Sequence, residues 1–149
     1  CPHKLFTLTA FCDKRYNRIL IRKNHGNLAI FSVSPERIIF SSPEKIAIII
    51  TGWSKYFGSD KYFYENPYLS DELTELIIEK NFKGIAIDTC SVDKYGKDTN
   101  HKKLLENNVW IVENITNCDN LNKTSYSSFF IPLNIEAEAS PVRAFLKKD

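Results

Sequence analysis

The sequence lacks a long apolar run, a close pair of cysteines and an excess of either charge, and each absence closes off a class of function. Its longest apolar stretch, Ile46-Ala47-Ile48-Ile49-Ile50, falls far short of the ~20 residues that a bilayer-spanning helix needs. Twenty basic against eighteen acidic side chains leave a formal charge of +2, with the two signs interspersed, so no electrostatic footprint for nucleic acid is present. Neither nucleic acid nor a membrane is expected as a partner. The four cysteines, at positions 1, 12, 90 and 118, form no CxxC pair and outline neither a zinc knuckle nor a disulfide framework. Reduced, mostly buried thiols and a cytoplasmic location are the corresponding expectations. A Gly-rich phosphate loop, a Gly-x-Ser-x-Gly elbow and an HExxH pair are also missing, which removes support for nucleotide and serine-hydrolase chemistry. The opening Cys1-Pro2-His3-Lys4-Leu5-Phe6 has neither the charged head nor the apolar core of a signal peptide, and a Cys1 start reads as a processed chain or a piece of a longer one.

What is there is the composition of a packed core: 149 residues, 43% hydrophobic and 13% aromatic, with no linker-like stretch, read as a single domain over 1–149. Arg18-Ile19-Leu20-Ile21 and Leu28-Ala29-Ile30-Phe31, either side of the turn-like Asn24-His25-Gly26-Asn27, suggest a hairpin. His25 reads as an exposed loop histidine. Ile46 to Ile50 suits a strand buried on both faces. An aromatic-rich loop follows from Trp53 to Tyr68, and Ser70 with Asp71 and Glu72 behind it is a helix start. Leu73, Leu76, Ile77 and Lys80 keep helical spacing until Asn81 and Gly84 mark a stop. Ile85 to Asp88 reads as a short buried strand, His101 to Asn107 as about two helical turns, and Val109 to Glu113 as another strand. The fold class is therefore α/β with a β-α-β-α-β core. Phe129 to Leu133 and Val142 to Leu146 add two strand candidates, Pro132 favouring an edge or a bulge, and predict a mixed central sheet.

In such an alternation, ligand sites gather at the carboxyl ends of the strands. Thr51-Gly52-Trp53, Asp88 and Glu113 each fall where a strand would end. A short helix running away and a strand running back cover comparable distances, so His101 and Glu113 are placed to meet at that end. Imidazole and carboxylate suit zinc or manganese, and Asp88 is placed to join or orient them. Against this stands the bland reading, a surface histidine and a capped carboxylate. Trp53, directly after a strand end, is the aromatic most suited to a substrate pocket, while its aromatic neighbours serve equally as wall, core or interface. Asn114-Ile115-Thr116 and Asn122-Lys123-Thr124 match the glycosylation sequon and are read as chance matches.

Four ordered pieces carry a family resemblance. They are Thr51-Gly52-Trp53-Ser54-Lys55 with Asn66-Pro67-Tyr68-Leu69-Ser70; Lys83-Gly84-Ile85-Ala86-Ile87-Asp88-Thr89 with Ser91 and Asp93; His101 with Leu104-Leu105; and Val112-Glu113-Asn114-Ile115-Thr116-Asn117. With Pro132-Leu133 and Ser140-Pro141-Val142-Arg143, they cover about two thirds of the chain. This stretch resembles the C-terminal part of the putative cyclase family, metal-dependent hydrolases that include bacterial kynurenine formamidase and isatin hydrolase. The resemblance implies a swivelling β/β/α fold, assembly into homodimers or homotetramers, and a site with two zinc ions or a manganese. It also implies that His101 and Glu113 are metal ligands, with a small aromatic amide as substrate. The chain departs from the pattern in having no His-x-Gly-Thr-His-x-Asp segment, and at the end of that motif neither His3 nor Lys4 can be assigned. Two functions are compatible with these residues. One is metal-dependent hydrolysis of a non-peptide amide bond, as in N-formylkynurenine or a cyclic amide; the other is a degenerate or truncated, non-catalytic binding or assembly module.

Overall fold

The run Ile46-Ala47-Ile48-Ile49 forms a strand with every residue buried, and the rest of the fold is laid against its two faces. The computed structural model describes residues 22–24, 27–30, 38–41, 46–118, 121 and 126–148. His3, Lys4, His25, Cys1, Cys12, Pro43, the expected strand over 18–21 and the second sequon lie outside them.

In chain order the strands are β1 (Arg22–Asn24), β2 (Asn27–Ile30), β3 (Ile38–Ser41), β4 (Ile46–Ile49), β5 (Tyr68–Leu69), β6 (Gly84–Ile87), β7 (Trp110–Val112), β8 (Tyr126–Pro132) and β9 (Val142–Lys148). The helices are α1 (Asp60–Tyr64), α2 (Asp71–Glu79) and α3 (Thr99–Glu106), with a 3-10 turn at Trp53–Tyr56. The central sheet has the order β3-β4-β6-β7. β3 runs antiparallel to β4, while β4, β6 and β7 are parallel neighbours, so the sheet is mixed around a β-α-β-α-β core.

Alternation decides which side chain meets which layer. Ala47 and Ile49 of β4 and Ile85 and Ile87 of β6 pack with Leu73 and Ile77 of α2 and Leu104 of α3. Ile48 and Ala86 point the other way, to Leu146 of β9 and Phe130 of β8. A strand buried on both faces needs apolar residues at every position, as this sequence supplies. Ser70 starts α2 as expected, its Oγ accepting from the Leu73 N–H. The helix ends at Asn81, whose φ of 55° lets the Phe82 and Asn81 N–H groups turn back onto Ile77 and Ile78.

Two expectations are corrected. The segment 53–68 is not one loop but holds the 3-10 turn, α1 and β5. The tail strands β8 and β9 do not join the central sheet; they pair with each other, and Pro132 ends β8, where no ladder bond is lost. Among the described residues of the expected hairpin, β1 pairs antiparallel with β2 in a separate sheet completed by β5.

Gly84 opens β6 directly opposite Trp110, and a Cβ at this position would clash with the carbons of the indole ring. Trp110 is in turn packed on Phe130, with ring centroids 5.0 Å apart. Gly84→Ala is therefore expected to lower stability by about 1–3 kcal/mol through overpacking, read as a fall in Tm; an unchanged Tm would show that the indole moves aside freely.

Candidate functional site

Parallel pairing sends the chain out of β4, β6 and β7 at the same edge, and the three exits are held together by carboxylates. Asp88, completely buried after β6, accepts from the Thr51 N–H at 2.8 Å, the Thr51 hydroxyl at 2.7 Å, the Gly52 N–H at 2.7 Å and the Trp53 N–H at 3.1 Å. Four donors satisfy a carboxylate that would otherwise be costly to bury. Gly52 has a φ of 74°, a left-handed conformation that a side chain would disfavour, and this lets the turn close over Asp88.

Asp93, 2% exposed, performs the parallel task for α3. Its oxygens accept from the Asn100 N–H at 2.8 Å and the His101 N–H at 3.0 Å, where unpaired donors of a first helical turn favour an anion. The same Oδ2 lies 2.7 Å from Nδ1 of His101. With the Nδ1 proton engaged there, the neutral ring presents the lone pair of Nε2 in the opposite direction. Opposite it, at 3.3 Å, is Oε1 of Glu113, which also accepts from the Val92 N–H at 2.8 Å.

Two acceptors facing each other require a positive charge between them. A proton meets the need: Glu113 foremost and then Asp93 raise the His101 pKa to about 9, against a lowering by burial. A divalent ion meets it equally. Ligands placed 2.0–2.1 Å from a tetrahedral zinc are about 3.3–3.4 Å apart, and the donor types are suitable. The pair fits two positions of a metal centre. Among the described residues no group of three or more His, Cys, Asp or Glu side chains is arranged to hold an ion.

The aromatic segment reaches the neighbourhood of this pair through Tyr62, which bonds to Asn114 beside Glu113. Trp53 is half-buried, donates from Nε1 to the Tyr62 carbonyl at 3.2 Å, and packs on Tyr56 at 4.6 Å between centroids. The Lys61 ammonium lies 4.5 Å from the Tyr56 ring centroid and 5.6 Å from that of Trp53. Phe57 and Phe63 are exposed, while Tyr62 is 1% exposed and donates from its hydroxyl to Asn114 Oδ1 at 2.9 Å. Burial, then the neighbouring Cys90, Asp88 and Glu113, push the Tyr62 phenol up to about 12. Burial and Glu113 likewise raise the Cys90 thiol, whose Sγ is 3.3 Å from the Tyr62 carbonyl. Both groups stay protonated at neutral pH. On the sheet face that meets β8 and β9, a cleft of about 1030 Å³ runs between the exit from β7 and the β8–β9 hairpin, with Ile48, Glu113 and Arg143 in its lining; Trp53 and His101 do not line it.

Of the residues selected from the sequence, His101 and Glu113 are brought together. Asp88 is not the carboxylate on the imidazole: its oxygens are taken by the turn after β4, and Asp93 stands on Nδ1 instead. Asp93 had a signal, an acid eight residues before His101, but that spacing acquires meaning only when the loop folds back over the helix start. Trp53 belongs to the segment that Asp88 fastens.

The fold is that of the cyclase-type metal-dependent hydrolases. Residues 35–94 match the family described as "Putative cyclase". An uncharacterized protein of Methanocaldococcus jannaschii is 42% identical over 103 residues, covering 66% of this chain and 51% of its own. A potential metal-dependent hydrolase with cyclase activity superposes with a TM-score of 0.61 at 20% identity, over 74% of this chain and 53% of the other. A predicted metal-dependent hydrolase from Bacillus stearothermophilus gives 0.59 at 20% identity over 72% and 51%. An isatin hydrolase bound to the product analogue thioisatinate gives 0.59 at 22% identity over 68% and 45%. The chain thus resembles the cyclase family over residues 35–94 and shares the fold of these hydrolases, and it spans about half the length of the proteins it matches.

The raised His101 pKa makes metal-free stability depend on pH. Because the folded value of about 9 exceeds the ordinary 6.5, the contribution is fully present below pH 6.5 and is lost as pH rises through about 9. Thermal unfolding in a chelator should show Tm falling across that window. In Asp93→Asn the folded pKa comes down, so the fall should be smaller and end at lower pH, and Tm should drop throughout by the equivalent of about 1–3 kcal/mol, since an amide cannot accept from all three donors as a carboxylate does. A wild-type Tm that stays flat between pH 6.5 and 9 would refute the linkage.

Proposed function

We propose that the protein acts in hydrolysis of a non-peptide amide bond, in an aryl formamide such as N-formylkynurenine or in a cyclic amide, at a divalent-metal centre that includes His101 and Glu113. The observation that carries the reading is the pair itself: Nε2 and Oε1 face each other at 3.3 Å, with the imidazole held from behind by a buried carboxylate. The metal-dependent character of the hydrolases that share the fold supports it. Zinc or manganese suits one nitrogen and one carboxylate oxygen.

When bound, such an ion lowers the pKa of a coordinated water and polarises an amide carbonyl. The chain's own residues do the positioning. Asp93 accepts the hydrogen bond from Nδ1–H, which fixes the ring and raises the basicity of Nε2. The Val92 N–H holds Glu113 in place while its carboxylate faces the imidazole. Trp53, Tyr56 and the exposed Phe57 and Phe63 provide flat apolar faces for an aryl group. Because three or more protein ligands are usual, the complete centre uses donors additional to these two.

The test is metal content by elemental mass spectrometry after exposure to zinc or manganese and dialysis, with turnover of formyl-aryl amides and cyclic amides measured in parallel. Near-stoichiometric metal is expected, lost in His101→Ala and Glu113→Gln together with about a hundredfold or more of activity, beyond the 10–100-fold of changes one layer out. A folded protein that takes up no metal would overturn the reading and favour a non-catalytic binding module.

A further inference from the structure

Glu113 has to be held within a few tenths of an ångström, because one oxygen, Oε1, serves both the Val92 N–H at 2.8 Å and His101 Nε2 at 3.3 Å. Its own strand does not hold it there: β7 ends at Val112, and Glu113 lies in the irregular backbone beyond. The next residue is unusual. Asn114 sits in the left-handed region with a φ of 60°, a conformation that asparagine tolerates better than other residues with a Cβ. Its N–H donates to the Thr89 carbonyl at 2.9 Å, and the N–H of Ile115 donates to Ile87 at 3.1 Å. The backbone beside the acid is thus tied to the exit of β6.

The Asn114 side chain is tied as well. Its Oδ1 accepts from the Tyr62 hydroxyl across 52 residues of sequence, at 2.9 Å. Tyr62 is an anchored donor. It is 1% exposed, its ring meets Phe57 and Phe63 edge-on at 5.3 Å, and its carbonyl accepts from Trp53 Nε1 and faces the Cys90 thiol. A buried phenol with a single defined acceptor costs more to misplace than an exposed one. The bond therefore transmits the position of α1 to the residue adjoining Glu113.

We propose that Tyr62 and Asn114 form a strut that sets the place of the Glu113 carboxylate, which makes both of them positioning residues for the site. The inference rests on the reading of Glu113 as a metal ligand, and goes beyond it by joining the aromatic segment and the acid into one mechanical unit. Neither residue needs to touch metal or substrate.

The test uses the full protein with Tyr62→Phe, which keeps the ring and removes the hydroxyl, Asn114→Gly, which keeps the positive φ and removes the amide, and the double variant. The first readout needs no metal: amide exchange and the chemical shift of Val92, whose N–H reports where Glu113 lies. The second is the affinity for zinc alone. Each single change is expected to move the Val92 resonance and speed its exchange by about fivefold to tenfold, the size of one hydrogen bond, while Ile48 and Ile87 are unaffected. Zinc affinity should fall by about tenfold, and the double variant should be no worse than the weaker single one. Unchanged Val92 behaviour in both single variants overturns the strut. Faster exchange at every core amide overturns it too, since that is the mark of a merely structural bond. If the wild type takes up no zinc, the metal reading fails, and the Val92 readout still decides the strut.

Discussion

Loops that leave parallel strands carry backbone N–H groups with no partner strand to take them, and in this protein carboxylates take them. Asp88 after β6 secures the turn after β4; Glu113 after β7 secures Val92 in the loop after β6; Asp93 in that loop secures the first turn of α3. Each acid fastens an element other than its own. The arrangement follows from the sheet, because only parallel pairing of β4, β6 and β7 brings all three exits to one edge. Buried N–H groups have to be satisfied, and an acid that accepts two or three of them, as Asp93 and Asp88 do, is itself stabilised in return.

The cost of that solution is negative charge gathered in one place, around the imidazole of His101. Asp93 and Glu113 approach the two nitrogens of His101 from opposite sides, and the imidazole cannot donate to both unless it is protonated. An environment that raises its pKa to about 9 is also one that welcomes a cation. Scaffold and chemistry therefore share atoms: Oε1 of Glu113 supports a loop amide and faces the imidazole with the same lone-pair region. The Tyr62 bond to Asn114 and the Trp53 bond to the Tyr62 carbonyl extend the same stitching to the aromatic segment.

Much of this was legible beforehand where local rules govern. The all-apolar run at 46–50 declared a strand buried on both faces, Ser70 declared a helix start, and the alternation of elements declared the core order. The meeting of His101 and Glu113 was legible for the same reason, since a parallel sheet returns successive strand ends to one edge. The short helical pieces within 53–64 were not, because the 3-10 turn starts from backbone that Asp88 holds and α1, five residues long, rests on aromatic packing rather than on propensity. The pairing of β8 with β9 in a sheet of their own likewise depends on which edges are left open once the core is assembled.

The sequence by itself determined the periodicities, the caps and the chemical types available at each strand end, because these depend on neighbours within a turn or a strand. Only the tertiary structure decided which carboxylate serves which donor: that Asp93 rather than Asp88 holds the imidazole, and that Asn114 answers to Tyr62. Those choices rest on bonds of 2.7–2.9 Å between residues separated by 8 to 52 positions. A carboxylate accepts from whichever donors the packed backbone brings within reach, and chain spacing carries no record of that distance.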